Sequence, residues 1–228
     1  MYEFKQVITR LRQEYGEPTL PPAKGPFELV IWENACYLLP DDRRLEVFEA
    51  LRRRVGLNAE SILTATDEVL LPIAKRGGMC PEERVFRWRE IAATTLNEFK
   101  GNLDTVLAMP HAKAKKALKQ FPAIGDPGAE KILLFCGLAS GLPVDSNGLR
   151  VLIRLGWGRT QKSYAATYRS AQTALIPLLS SHKERLVEAH LLLREHGKTL
   201  CKFERPLCQQ CPLADGCSYT EESGRNRA

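Results

Sequence analysis

The chain has 228 residues, 44% of them hydrophobic and 26% charged, with a net charge of +6 and a pI of about 9.0. That is the composition of one large or two small globular domains with a sizeable core, and it excludes a fibrous or disordered chain. The longest apolar run, "ILLFCGLASGLPV", is broken by glycines and a proline and is too short to span a bilayer, and the opening "MYEFKQVITRLRQEYG" has no secretory leader pattern, so the expected place is the cytoplasm, away from membranes.

In chain order the apolar spacings are three and four, so the chain reads as all-α. After an N-terminal helix comes "PFELVIWENACYLLPDD", a strongly apolar helical segment with Glu33 inside it. Read by itself, Glu33 is either a carboxyl whose burial raises its pKa, which suits a general acid, or a glutamate on the exposed stripe. "PDDRRLEVFEALRRRVG" starts at Pro40, places Leu45, Phe48, Leu51 and Val55 on one face and stops at Gly56. "PEERVFRWREIAATTLNEFKG" runs from Pro81 to Gly101. "HAKAKKALKQ" gathers Lys113, Lys115, Lys116 and Lys119, either a solvated face or a set of phosphate contacts.

"FPAIGDPGAEKILLF", residues 121–135, is a tight turn at a helix start. Such a turn leaves backbone N–H groups unpaired beside the positive end of the helix dipole, which together grip a phosphate without reading sequence. An interhelical loop has the same composition. "VDSNGLRVLIRLGW" places Asp145 as the N-cap of an amphipathic helix. Two further helices, "SYAATYRSAQTALIPLL" and "KERLVEAHLLLREHG", precede "CKFERPLCQQCPLADGC". Its Cys201, Cys208, Cys211 and Cys217 are separated by six, two and five residues. In a reducing compartment four clustered thiols point to metal rather than disulfides. Zinc and iron–sulfur both accept four cysteines, and the single C-x-x-C favours a cluster over structural zinc, which usually uses two such knuckles.

The cysteine spacing, preceded by the helix ending in His-Gly of "REHGKTLC", resembles the C-terminal loop of the endonuclease III superfamily of DNA glycosylases. "FPAIGDPGAEKILLF" resembles that family's helix–hairpin–helix, usually Leu-Pro-Gly-hydrophobic-Gly, with Ala123 in place of the first glycine. The resemblance spans Pro26 to Cys217 and implies a two-lobed helix–hairpin–helix glycosylase fold with DNA in the cleft. One lobe is residues 24–142 with the hairpin at about 110–136, and the other is 1–23 plus 143–228 with a [4Fe–4S] cluster on loop 201–217.

The same resemblance assigns residues. Asp145 is the essential carboxylate that stabilises an oxocarbenium-like sugar, and Asn147, in the Asp-x-Asn pattern of the MutY-like adenine and mismatch thymine glycosylases, assists it. Glu33, seven residues past Pro26, corresponds to the glutamate that protonates the departing base, or it activates water. Ala123, Ile124, Gly125, Pro127 and Gly128 form the DNA-gripping hairpin. Lys131 contacts phosphate or solvent, Lys202 and Arg205 of the cluster loop meet DNA, and Tyr37 and Leu38 stand where a wedge fills the hole left by a flipped base. The roles of Trp32, Cys36 and Cys80 stay open.

Bifunctional members attack the sugar with a lysine that Pro127 replaces here, so strand cleavage by that route is not expected. The implied protein is a monomeric, monofunctional glycosylase of base excision repair, nucleoid-associated if bacterial, acting on double-stranded DNA with a damaged or mismatched base and leaving an abasic site. The alternatives are a bifunctional glycosylase and abasic-site lyase using Lys131, and a non-catalytic DNA-binding protein that recognises damage or structure. Only eleven residues follow Cys217, so the extra C-terminal domain of adenine glycosylases is not expected.

Overall fold

The computed structural model describes residues 2–37, 39–179 and 185–220, so Leu38 lies outside the described residues. Among them there are only helices, turns and irregular segments, and no helix is long and apolar enough to cross a membrane. The chain divides into two compact units, Pro21–Leu138 and Met1–Leu20 with Ala139–Ala228.

In the continuous unit, α2 (Gly25–Glu33) carries Leu29, Val30 and Ile31 buried in succession. A helix apolar on all sides belongs in the middle of a bundle, and α2 packs on α3, α6 and α8. Around it run α3 (Asp41–Arg54), α4 (Ala59–Thr64), α5 (Asp67–Lys75) and α6 (Pro81–Phe99), then a 3-10 turn over Leu103–Ala108, α7 (His111–Leu118) and α8 (Asp126–Phe135). Trp88 of α6 is fully buried, and its indole N–H donates to the Asn34 carbonyl at 3.2 Å, which satisfies the one polar atom of a large apolar group.

The buried face of α3 is Val47, Phe48, Ala50 and Leu51. Leu45 is exposed, against the sequence expectation, because the stripe is rotated: Arg44, with its guanidinium over the Trp32 ring, takes the inward position one turn before Phe48.

The second unit contains α1 (Phe4–Tyr15), α9 (Ser146–Arg154), α10 (Tyr164–Leu179) and α11 (Leu186–Thr199). Helix α1 buries Phe4, Val7, Ile8 and Leu11, a helical i, i+3, i+4, i+7 stripe, and packs on α11, which also packs on α9. Helix α11 does not end at His196-Gly197 as its sequence suggests; it continues to Thr199. Gly197 is a packing glycine: a Cβ there would stand 2.6 Å from the Asn147 carbonyl oxygen on α9.

Candidate active site

The hairpin turns through Ala123, which adopts φ 60, the left-handed region where a side chain is disfavoured. Ile124 is buried beneath the turn. Gly125 caps α8, and Pro127 sits in its first turn, where a missing N–H costs nothing. The backbone N–H groups of Gly125, Asp126 and Gly128 have no partner among the described residues, so the turn presents three donors at a helix N-terminus. A Cβ on Gly125 would meet nothing closer than Pro127 at 3.9 Å, so that side of the turn is open.

The lysines upstream are partly engaged. Lys119 lies 2.7 Å from Asp126, and Lys115 lies 3.1 Å from Glu130. The hydrogen bond from Lys119 holds the Asp126 carboxyl below its ordinary pKa. Lys113 and Lys116 are exposed.

The hairpin is tied to the end of α2 by Asn34, whose side-chain N–H donates to the Val30 and Pro122 carbonyls at 3.0 and 3.1 Å. The residue before it, Glu33, is largely buried, and the packing of α2 on α8 brings Lys131 to it: Nζ lies 2.6 Å from Oε2. Arg44 Nη1 stands 3.8 Å from Oε1. Lys131 therefore meets a carboxylate, where the sequence suggested phosphate or solvent. Tyr37 is 60% exposed, and its N–H donates to the Gly77 carbonyl at 3.3 Å. That bond places it beside the loop of Met79, itself 68% exposed. Buried Arg84 moulds this loop by donating to the carbonyls of Ala74, Gly77 and Met79.

In the other unit Asp145 is the N-cap of α9, and its two oxygens do different work. Oδ1 accepts from the backbone N–H groups of Asn147 and Gly148 at 3.0 and 2.9 Å. Oδ2 lies 3.2 Å from Arg194 Nε of α11. Asn147 Oδ1 accepts from Arg150 at 2.9 Å, and Arg150 also donates to the carbonyls of Gly197 and Cys201. The carboxylate, the asparagine and the start of the cysteine loop are thus parts of one hydrogen-bonded assembly.

Cys201, Cys208, Cys211 and Cys217 line a single pocket whose other walls include Leu155, Leu200, Leu207, Leu213 and His196. Arg154 grips the loop through the carbonyls of Lys202 and Phe203 and approaches the Cys201 sulfur at 3.3 Å. The Leu213 N–H points at the Cys211 sulfur at 3.4 Å, and His196 Nε2 lies 3.5 Å from it. Burial pushes the Cys211 thiol up to about 11 and raises Cys201 as well. No three His, Cys, Asp or Glu side chains among the described residues gather as a ready site for a single metal ion. Lys202 and Arg205 are exposed.

Arg44, Arg154 and Arg194 were missed by sequence reading. Arg150 and Arg154 are four apart on an amphipathic helix, a spacing that marks one face; Arg44 and Arg194 carry no local signal at all.

No family model matches the chain. It is 26% identical over 187 residues to an endonuclease III of Sulfolobus acidocaldarius, covering 82% of this chain and 78% of that protein. It is 22% identical over 227 residues to a thymine/uracil-DNA glycosylase of Pyrobaculum aerophilum, covering 98% and 94%. Its fold matches a non-covalent endonuclease III–DNA complex with a TM-score of 0.76 at 19% identity, over 99% of this chain and 100% of that one. With the hairpin, the capped aspartate and the cysteine loop in place along its length, the chain is similar in sequence and fold to the helix–hairpin–helix DNA glycosylase superfamily.

Proposed function

We propose that this protein is a monofunctional DNA glycosylase of base excision repair. It binds double-stranded DNA, takes a damaged or mismatched base out of the stack, and hydrolyses its N-glycosidic bond to leave an abasic site. The observation that carries the reading is Asp145, a partly exposed carboxylate with one oxygen committed to the helix cap and the other facing Arg194 at 3.2 Å and the Asn147 side-chain amide at 3.4 Å. A relative named as a thymine/uracil-DNA glycosylase, similar over 98% of the chain, supports it.

DNA is gripped by the hairpin from Ala123 to Gly128, whose free N–H groups take a phosphate, with Lys202 and Arg205 adding contacts from the cysteine loop. Tyr37 and Met79, large and exposed on adjoining loops, fill the space that the flipped base leaves. As the bond to the base breaks, its electron pair leaves with the base and positive charge grows on the sugar. Asp145 stabilises that charge, and Asn147 and Arg194 hold the carboxylate in place. Glu33 serves the departing base. Water then adds to the sugar carbon, and its proton passes to the departed base.

The four cysteines hold a [4Fe–4S] cluster in this reading. The support is chemical: four thiols line one largely apolar pocket, and N–H donors stand near the sulfurs of Cys201 and Cys211. That suits a group in which each iron takes one thiolate. Bound there, the cluster supplies a rigid staple for the loop that carries Lys202 and Arg205.

Pro127 has no amine, and the Lys131 amine is engaged by Glu33, which supports hydrolysis without strand cleavage. The test is incubation of duplexes carrying a panel of lesions, with and without alkali. Excision with strand breaks only after alkali is expected, and equal breakage without alkali sinks the monofunctional reading. A second reading, a lyase, draws on the same 2.6 Å contact, because Glu33 is placed to take the ammonium proton and free the amine as a nucleophile. Borohydride trapping of a covalent adduct that disappears in Lys131→Ala decides for it.

A further inference from the structure

Glu33 stands between two cations within the continuous unit. Lys131 of α8 reaches Oε2 at 2.6 Å, and Arg44 of α3 faces Oε1 at 3.8 Å. The three side chains are each less than a fifth exposed, so they are screened from water without being sealed off. Arg44 is braced by packing: its guanidinium lies over the Trp32 ring at 5.5 Å, and Trp32 meets Phe48 edge-on at 5.3 Å. Its donors are nevertheless underused. Nε is buried with no hydrogen-bond partner among the described residues, and 3.8 Å from Nη1 to Glu33 is too long for a hydrogen bond. A buried donor without an acceptor is unfavourable, and a ligand oxygen removes that defect.

We propose that Lys131, Glu33 and Arg44 read the flipped base as a donor–acceptor–donor array, and so select bases that carry an imide, a ring N–H flanked by two carbonyls. The proposal rests on the glycosylase reading above. The edges of the bases separate cleanly against such an array. Uracil and thymine offer acceptor, donor, acceptor. Cytosine offers donor, acceptor, acceptor; adenine offers donor, acceptor; guanine offers acceptor, donor, donor. Only the imide satisfies all three side chains, with its N–H donating to Glu33 and its two oxygens accepting from Lys131 and Arg44. Any other edge leaves a screened polar group unpaired, and that is the condition under which a site discriminates strongly.

The array also suits the bond-breaking step. The bond between C1′ and the ring nitrogen breaks, and its electron pair passes to that nitrogen and spreads onto the two carbonyl oxygens. Lys131 and Arg44 donate to those oxygens, and the three side chains together carry a net charge of +1 (one carboxylate, two cations). An imide base therefore leaves as an anion stabilised in place, with no prior protonation. Water adds to C1′ and gives its proton to the departed base, so the products are the neutral base and an abasic sugar.

The experiment is single-turnover excision by the full chain from duplexes carrying uracil or N3-methyluracil at one position. N3-methyluracil keeps both carbonyls and lacks only the N–H. Its removal is expected to be about ten- to a hundredfold slower, the scale of one charge-assisted hydrogen bond. Lys131→Met and Arg44→Met are each expected to lose a similar factor on uracil, with Lys131→Arg recovering most of it. Equal rates on the two bases, or excision confined to bases without an imide, overturn the proposal and leave the glycosylase reading standing. No excision from any lesion duplex that the protein binds overturns that reading and this proposal with it. The comparison of the two bases uses the unaltered protein, so the folding of the variants does not limit it.

Discussion

Gly197 of α11 lies so close to Asn147 of α9 that a Cβ at 197 would fall 2.6 Å from the Asn147 carbonyl oxygen and 2.8 Å from its Cβ. The contact is with backbone, which cannot swing aside. The same two helices carry Arg194 and Asp145, so the spacing of α9 and α11 sets the distance between the carboxylate and its cation. Gly197→Ala is expected to cost about 1–3 kcal/mol of stability by overpacking. It is also expected to slow excision under conditions where the protein remains folded. Denaturant midpoints and single-turnover rates measured on the same preparation check both.

Ala123 pays a conformational cost at φ 60 that glycine does not. Ala123→Gly is expected to stabilise the protein by about 0.5–1 kcal/mol, the left-handed penalty less the added freedom of the unfolded chain. A shift of the urea midpoint to higher concentration is the readout. An unchanged or lower midpoint would show that the neighbours already compensate the turn.

Asp126 places a carboxylate beside the N–H groups offered to phosphate and occupies Lys119 and Lys115. Asp126→Asn removes the repulsion and frees Lys119, while Lys115 keeps Glu130 at 3.1 Å, so DNA binding is expected to tighten several-fold. The slope of log K against log salt is expected to steepen by up to about one. The sign with pH follows from the lowered pKa of the carboxyl. Asp126 remains ionised above its unfolded value, so the gain is constant at neutral pH. The Lys119 link contributes stability above that value and loses it as pH falls through the lower folded one. Titrations at two salt concentrations measure the affinity, and acid unfolding of the variant checks the sign.

Removing iron, or replacing Cys208 with serine, is expected to abolish the broad visible absorbance of thiolate-bound iron. Without a cluster the loop loses its four thiolate tethers, so trypsin is expected to cut after Lys202 before it cuts the continuous unit. A protein that is colourless when purified anaerobically and carries one zinc would replace the cluster with a zinc site.

Asp145→Asn preserves one oxygen for the cap and loses the charge. Excision is expected to fall by at least about a hundredfold, the scale of losing one such stabilising group, with little change in stability. Unchanged excision by a folded Asp145→Asn would remove the carboxylate from the mechanism.

Much of this was legible along the chain because its signals are local. The spacing of Phe4, Val7, Ile8 and Leu11 fixes a buried helix face wherever that helix packs. Asp145 announces a helix start, and the side-chain hydrogen bonds to Asn147 and Gly148 are made within three residues of it. The cysteine spacing needs only a short loop to bring four thiols to one pocket. Failures of local reading have equally local causes. Gly197 looks like a helix stop, because glycine usually is one, and only the backbone of α9 against it reveals a packing role. Leu45 fits an apolar stripe until Arg44 is seen covering Trp32.

The sequence by itself determined the helical class, the hairpin, the capped aspartate and the cysteine loop, since each depends on neighbours a few residues away. The tertiary structure alone decided what faces each carboxylate. Lys131 is 98 residues from Glu33, and Arg194 comes to Asp145 from another helix. Which cation meets which acid depends on how helices cross and rotate, and a helical period says which face is buried without saying what lies opposite it.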